Sequence, residues 1–241
     1  MDINNTIDYD SIRKTAAEIV AGSKRIYRLI SAGEKGRIAG GRRNVEASCL
    51  LGTEARTDLS DTSPGQVLIQ ERLLEKYARH KKIWFDYEDI KKLWKRIDIG
   101  QSAEAEVYED EDKAFVKKVF HYLNSDTPLE FIDDRISLHN ALFPDTKYEL
   151  TGFTKTAKGF AFILKQVFII GRKTTEEDDL DGFMRRLGFI KRGFNRYQNS
   201  IIEVSDLHEA NVLLGEDGNF YFVDTIPRLM DKEIYWNFVI K

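Results

Sequence analysis

Apolar side chains recur every three or four residues in five parts of the chain, which is the spacing of helices with one buried face. The predicted helices cover residues 8–31, 70–78, 87–94, 128–142 and 175–187. Pro144 follows the fourth of them and ends it, because proline cannot continue a helix. The fifth opens on a run of carboxylates, which suits the positive end of a helix dipole.

The period changes to that of short β-strands after residue 104. Strands are predicted over residues 105–108, 114–120, 148–154, 159–170, 201–204, 211–214 and 220–223. A polar turn joins the first two strands into a hairpin, and the turn at 215–218 joins the last two. No segment repeats at a fixed period, so a repeat architecture is excluded.

Two stretches break the pattern near the start of the chain. Glycines interrupt residues 33–41, and residues 53–65 are rich in Thr, Ser, Asp and Gly, as loops and linkers are. We therefore predict a helical N-terminal extension with its linker over 1–65, followed by a compact domain over 66–241.

Composition excludes several classes of protein. The chain has 241 residues, 42% of them hydrophobic, which is enough to bury a core. Cys49 is the single cysteine, so an internal disulfide and a cysteine-rich zinc site are both excluded. No apolar run reaches the roughly 20 residues that span a bilayer, and no signal peptide is evident. A cytoplasmic protein without membrane association is the expectation.

One segment is strongly basic although the net charge is only −3. Residues 24–43 hold Lys24, Arg25, Arg28, Lys35, Arg37, Arg42 and Arg43 against the single acid Glu34. This charge would suit nucleic-acid binding, as in an accessory protein of DNA, while a solvated basic face is the alternative. Tyr27 is the only aromatic residue there, so stacking on single strands has little support.

The pattern that carries chemistry lies near the end of the chain. Asp206 precedes Asn211 by five residues, and Asp224 follows the hairpin strand 220–223. Phosphoryl transfer needs one carboxylate at the attacking hydroxyl, and a second carboxylate with an amide oxygen to hold Mg²⁺. We assign the first role to Asp206 and the metal to Asn211 and Asp224. His208 is interpreted as a structural residue of the same loop.

The segment 205–214, with Phe222-Val223-Asp224 after it, resembles the catalytic loop of the protein-kinase-like superfamily in its atypical branch, which includes aminoglycoside phosphotransferases and Rio kinases. Residues 135–144 and Gly152-Phe153 are most similar to the kinase-like domain of polyvalent proteins of phages and conjugative elements. The resemblance implies an ATP-dependent kinase fold in a protein of a mobile element. It covers about residues 66–229.

The resemblance also implies the nucleotide site. The phosphate-covering loop starts at Gly100 and includes Ser102, and Val107 would lie over the adenine. The lysine that pairs the phosphates is Lys118 or Lys117; we favour Lys118, because Val116 then faces the adenine as well. Its carboxylate partner would come from the following helix. Glu130 is the first choice for its reach, and Asp133 and Asp134 stay open.

We therefore predict an α+β, kinase-like two-lobed fold, with a small antiparallel-sheet N-lobe over about 97–168 and a reduced C-lobe over about 169–241. The predicted function is an ATP- and Mg²⁺-dependent phosphotransferase acting on a small-molecule or protein hydroxyl. Only Gly100 keeps a family glycine, no glycine follows Asp224, and 17 residues after Asp224 leave no room for an activation segment. These departures motivate the alternative of an inactive pseudokinase that binds nucleotide.

Overall fold

The computed structural model describes residues 43, 46–48, 50–51, 62–98, 104–199 and 202–230. The predicted helix 8–31 lies outside the described residues, and so do the basic segment up to residue 42 and the loop residues Gly100 and Ser102. The chain divides into two compact units after Gly171. Helices and antiparallel sheets occur together, so the predicted α+β class is confirmed. No helix of the described part is both long and apolar enough to cross a membrane.

The first unit is built on an antiparallel sheet of four strands in the order β1-β2-β4-β3. These strands are β1 (Ala105–Glu109), β2 (Phe115–Phe120), β3 (Glu149–Thr156) and β4 (Gly159–Val167). Short turns join β1 to β2 and β3 to β4, so each pair is a hairpin. The first hairpin was predicted from the sequence, and so were the two strands of the second.

Side chains cap the starts of some helices of the first unit. In α1 (Pro64–His80) the Ser63 side chain accepts from the amide of Gln66, and in α2 (Tyr87–Leu93) Asp86 accepts from the first amides. The predicted helix 128–142 consists of α3 (Pro128–Glu130), a π-helical segment (Phe131–Leu138) and α4 (His139–Leu142), and a 3₁₀ turn (Pro144–Thr146) follows it.

The sheet buries both of its faces. On one face an aromatic core contains Phe120, Phe131, Phe153 and Phe162, and Phe131 stacks on Phe162 with ring centroids 4.5 Å apart. On the other face a smaller cluster contains Ile90, Tyr108, Val119, Ala161 and Ile163. Successive residues of a strand point to opposite faces, so one stretch of β2 contributes to both clusters.

Gly152 marks a close approach between β3 and the segment before α2. A β-bulge lies at this glycine, between Leu150 and Gly152. Backbone hydrogen bonds fix the neighbouring segment: the Phe153 amide donates to the Ile83 carbonyl and the Phe85 amide donates to the Phe153 carbonyl, both at 2.9 Å. A Cβ on Gly152 would lie 2.6 Å from that Ile83 oxygen and 2.4 Å from Cε2 of Phe85. Only glycine fits here.

Gly152→Ala should therefore lower the free energy of unfolding by about 1–3 kcal/mol, because the hydrogen-bonded backbone at Ile83 cannot move away. Urea-induced unfolding followed by circular dichroism measures the loss. Gly65→Ala is the matched control in the same unit, since a Cβ there meets nothing within 4 Å. Equal stability of the two variants would contradict this account of Gly152.

The described part of the second unit, within residues 172–230, contains short strands in two sheets and one helix. One sheet has the order β10-β9-β5, and the other has the order β11-β8-β7-β6. The elements are β5 (Gly171–Lys173), α5 (Leu180–Arg186), β6 (Ile190–Gly193), β7 (Arg196–Gln198), β8 (Ile202–Ser205), β9 (Val212–Gly215), β10 (Phe220–Phe222) and β11 (Ile226–Leu229). The helix is shorter than the predicted 175–187, and β5, β6, β7 and β11 were not predicted.

Candidate active site

The loop after β8 holds the predicted catalytic carboxylate in an unusual backbone conformation. Asp206 has a φ of 65°, in the left-handed region that residues other than glycine seldom adopt. Asn211 stabilises this conformation, because its side-chain amide nitrogen donates to the Asp206 carbonyl at 2.9 Å and to the Asp206 carboxylate at 2.8 Å. Such conformations cost of order 1–3 kcal/mol and cluster at functional sites. The loop is therefore held in place by the residue that the sequence pairs with Asp206.

These hydrogen bonds also decide which atom of Asn211 is left for a ligand. The Asn211 side chain is 9% exposed, and its nitrogen is used inside the loop. An amide carries its acceptor oxygen opposite the nitrogen, so the oxygen is directed away from Asp206. Backbone pairing fixes the residue further, since its carbonyl accepts from the Val223 amide at 2.9 Å.

Strand register places the second carboxylate at the same end of the second unit's sheet. β11 pairs antiparallel with β8, and Ile226 lies opposite Ser205. Asp206 continues the chain after Ser205, while Asp224 precedes Ile226 by two residues. The segments that carry the two aspartates therefore leave the paired strands at one edge, and Asp224 also follows the end of β10.

The donor set suits Mg²⁺ that is shared with a phosphate. Asn211 offers an amide oxygen and Asp224 a carboxylate, and Mg²⁺ takes oxygen ligands, usually one or two carboxylates completed by water and phosphate. Within the described ranges no group of three or more His, Cys, Asp and Glu side chains is placed to hold a metal ion. An amide oxygen and one carboxylate fit a magnesium ion that takes its other oxygens from phosphate and water.

His208 bonds within its own loop. Its Nδ1 atom accepts from the Ala210 amide at 3.2 Å, and its Nε2 atom lies 3.6 Å from the Asp206 carboxylate. The first contact is the local turn bond expected of a structural histidine.

The candidate lysines of β2 face opposite sides of the sheet. Lys118 is 5% exposed, and its Nζ lies 5.6 Å from the ring centre of Tyr148, on the face of the aromatic core. Val107 is directly opposite Lys118 in the register of β1 and β2, so the predicted adenine contact and this lysine share a face.

Lys117 lies among the side chains of the other face. Its Nζ is 3.4 Å from the Asp110 carboxylate and 4.9 Å from the ring centre of Trp94. Asp110 is itself 5% exposed and bonds Lys165 at 3.0 Å. Lys117 is thus a member of a structural ion cluster.

The three candidate carboxylates of the following helix differ in their surroundings. Glu130 accepts from the Asp126 amide at 2.9 Å and is half-buried. Asp133 accepts from the Ser48 hydroxyl at 2.7 Å. Asp134 is the most buried of the three, at 5% exposure, the same value as Lys118.

The comparison with family models agrees with this geometry. A model described as serine/threonine/tyrosine kinase found in polyvalent proteins matches residues 69–231. The chain belongs to this family. The resemblance predicted from the catalytic-loop motif is confirmed, and the domain is a kinase-like phosphotransferase. No curated protein is significantly similar to the chain.

One ion pair of the kinase domain was not singled out from its sequence. Arg135 bonds Glu104 at 3.0 Å, with side chains only 3% and 14% exposed, and it lies over the ring of Phe120 at 5.1 Å. The pair ties the π-helical segment to the residue that precedes β1. In the sequence, a buried arginine in the middle of a predicted helix cannot be distinguished from an exposed one. The burial of Arg135 was therefore not predictable from the sequence.

The structure therefore brings together Asp206, Asn211 and the strand end before Asp224 in the second unit. In the first unit it places Val107 and Lys118 on one face and Lys117 on the other. Gly100 and Ser102 lie outside the described residues.

Proposed function

We propose that this polyvalent-protein kinase domain transfers the terminal phosphoryl group of ATP to a hydroxyl group, with the help of Mg²⁺. The observation that carries the proposal is the locked loop, in which Asn211 holds Asp206 in a left-handed conformation beside the strand end that bears Asp224. A purely structural turn would not need a carboxylate at a strained position, whereas phosphoryl transfer needs one at a fixed place.

Each residue then has one role. Asp206 orients the acceptor hydroxyl and takes its proton, and Asn211 and Asp224 provide oxygen ligands for the metal. Lys118 neutralises phosphate charge, and Val107 contacts the adenine from the same face of the sheet. When bound, ATP supplies the phosphoryl group that passes from the ADP oxygen to the acceptor oxygen, and Mg²⁺ offsets the charge of its phosphates.

Burial favours Asp134 as the carboxylate that accompanies Lys118. Charged groups are seldom buried unless they are paired, and Lys118 and Asp134 are each 5% exposed and belong to the same compact unit. Glu130, our first choice from the sequence, is half-exposed and already accepts from Asp126. We propose Asp134 for this role ahead of Glu130 and Asp133.

The wider setting follows from the family. Because its members are kinases found in polyvalent proteins, we propose that the chain acts for a mobile element, in the cytoplasm. The acceptor is a small molecule or a protein hydroxyl. Arg43 is the one residue of the basic segment in the described part, and it donates to the Thr151 carbonyl at 3.2 Å, a contact within the protein rather than with nucleic acid.

Thermal unfolding tests the nucleotide site. With Mg²⁺ present, ATP at about 100 times its dissociation constant should raise Tm by roughly 5–10 °C, because a ligand that binds only the folded state stabilises it. Chelation of Mg²⁺ should remove most of the shift, and so should Asp224→Asn.

Glu216→Gln is the control for this measurement, since Glu216 is an exposed carboxylate in the turn between β9 and β10. It should keep the full shift. A shift of the same size in Asp224→Asn, or without Mg²⁺, would argue against the assigned metal ligands. A full shift without any phosphate transfer would identify the domain as a pseudokinase.

A further inference from the structure

A cavity of about 790 Å³ opens in the second unit beside the catalytic loop. Its walls are formed by the segment 174–181, by residues of β6, β7 and the turn between them, and by residues 207–209 of the loop that carries Asp206. This volume is typical of a site for a small ligand or for a few residues of a peptide. No residue assigned to the nucleotide or the metal lines it.

The cavity lies one side chain away from the proposed catalytic carboxylate. His208 is part of the wall, and its Nε2 atom is 3.6 Å from the Asp206 carboxylate. Leu207 is also part of the wall and donates its amide to the Asn195 carbonyl at 3.1 Å, which fixes the loop against the opposite wall. A ligand seated here would present its own groups towards Asp206.

The charge of the walls is strongly negative. Two cationic side chains, Arg185 and Lys191, face six carboxylates. The carboxylates are those of Glu176, Glu177, Asp178, Asp179, Asp181 and Glu209. An excess of this kind attracts cations and repels anions.

Half of these carboxylates are used within the protein. Arg172 forms a two-pronged pair with Asp178 at 2.7 and 2.8 Å and holds the pKa of that carboxyl well below its usual range. A hydrogen bond from Tyr197, together with the Lys191 ammonium at 3.0 Å, lowers the pKa of Asp181. Asp179 lies 3.8 Å from Arg186. These three carboxylates are therefore engaged by side chains of the protein itself.

The other three carboxylates are available to a ligand. Glu176, Glu177 and Glu209 are exposed, and none makes a hydrogen bond or an ion pair with the described part of the chain. Glu177 interacts with Arg172 only at longer range. Within the described residues these three carboxylates make no direct pair, so each can pair with a cation brought by a ligand.

A second observation, independent of charge, marks this wall as a binding site. Thr174 is 91% buried, since only 9% of its surface is exposed, and it lines the cavity. Its amide donates to Val212, but its hydroxyl makes no hydrogen bond with any described residue. Because Thr174 lines the cavity and its hydroxyl is not among the buried atoms of the described residues that lack a partner, the hydroxyl is open to the cavity and can bond a polar atom of a ligand.

We propose that this cavity is the acceptor site and that the acceptor is a hydroxyl compound carrying amino or guanidinium groups. The inference rests on the proposed function, because it takes Asp206 as the residue that meets the hydroxyl. The free carboxylates bind the cationic groups, Thr174 bonds a polar atom of the ligand, and Phe194, 92% exposed at the rim, offers an aromatic face to the cation or its carbon chain.

Two sources could supply this chemistry, a small polyamine-like alcohol or a basic peptide. The chain itself contains such a peptide, because the basic residues of 24–43 flank Ser31 and follow Ser23. Both ligands would use the same cation site. The site is therefore tested first, and the identity of the ligand second.

The test uses the full chain and spermidine as the cationic probe, with affinity measured by calorimetry. The variant Glu176→Gln/Glu177→Gln/Glu209→Gln removes the three free charges and should bind spermidine roughly tenfold more weakly than the wild type. The control Asp89→Asn/Asp145→Asn/Glu216→Gln removes three exposed charges elsewhere, so that net charge is matched. The control should bind like the wild type.

Equal affinity of the two triple variants, or no binding of spermidine to the wild type, would overturn the proposal. A synthetic peptide of residues 20–43 then assigns the source: displacement of spermidine supports a basic peptide, and no displacement supports a small amine. In either case the cation site stands.

The ATP-dependent Tm shift is measured in the same variants to separate this inference from the proposed function. It should be the same in both triple variants and the wild type. If the wild type shows no shift while spermidine binding still depends on the three glutamates, the nucleotide site fails and the cation site survives.

Discussion

Asp206→Asn is expected to lower the rate of phosphate transfer by roughly 10²–10⁴-fold, which is the usual contribution of a general base. The substitution is suited to this position, because asparagine tolerates the left-handed conformation of residue 206 better than alanine does. Its side-chain oxygen also keeps an acceptor for the Asn211 amide, which now bonds the carboxylate. The loop is therefore expected to keep its shape while it loses the base.

Transfer is followed as production of ADP and of labelled acceptor under saturating ATP. The Tm shift by Mg²⁺ and ATP should be retained, since Asp206 is not assigned to the nucleotide. Glu216→Gln serves again as the control and should transfer phosphate at the wild-type rate. If Asp206→Asn kept its activity, Asp206 would not be the base and the catalytic assignment of the loop would be wrong.

Lys118→Met is expected to have the second largest effect, a loss of nucleotide affinity and turnover of about 10²-fold or more. Lys118 is buried on the face of the sheet that also bears Val107, so we assign its ammonium group to the phosphates of a nucleotide whose adenine contacts Val107. Methionine has a similar length and no charge, so packing against Tyr148 is preserved while the electrostatic contribution is lost.

Lys117→Met is the matched comparison, because it makes the same change one residue earlier, on the opposite face. It breaks the pair with Asp110, and Lys165 still bonds that carboxylate at 3.0 Å. A small loss of stability and an unchanged Tm shift by ATP are expected. The reverse result, in which Lys117→Met abolishes the shift and Lys118→Met does not, would exchange the roles of the two lysines.

Much of the first unit could be predicted from sequence because its elements follow simple periods. The strands of the hairpins of β1 with β2 and of β3 with β4 are runs rich in apolar residues and bounded by turns, and the helix at Pro128 has both a cap and a stop. The strands of the second unit were harder to predict. β6 has three exposed residues out of four, β7 has only three residues, and β11 contains Pro227, which weakens any strand pattern.

The acidic segment shows where a sequence pattern misleads. The carboxylates from Glu176 onwards predicted an early start of the helix, but Asp178 instead closes a turn by accepting from the Thr175 amide and pairing with Arg172. The helix begins only after Asp179, whose side chain accepts from the Gly182 amide. A carboxylate at a helix start and a carboxylate in a turn look alike until their hydrogen-bond partners are known.

The motif of the proposed site could be found because its residues are close in sequence. Asp206 and Asn211 lie five residues apart on one loop and bond each other there. The choice between Lys117 and Lys118 depended on which face of β2 each side chain occupies. Alternation puts the two lysines on opposite faces, but only the packing of the strand shows which face is which. The choice among Glu130, Asp133 and Asp134 depended on the turn of the helix, which no period in the sequence disclosed.

The π-helical segment at Phe131–Leu138 explains that last difficulty. Within it the Ser137 hydroxyl donates to the Ile132 carbonyl. A π-turn changes which residues share a face of the helix, so the α-helical period does not assign the face of these carboxylates. Glu130, immediately before the segment, is half-exposed, whereas Asp134, within it, is buried. Such a segment can be understood as the result of inserting one residue into an α-helix whose two ends keep their positions. The chain can gain or lose a residue there during evolution while the ends of the helix stay in place, and the charge that faces the sheet changes with it.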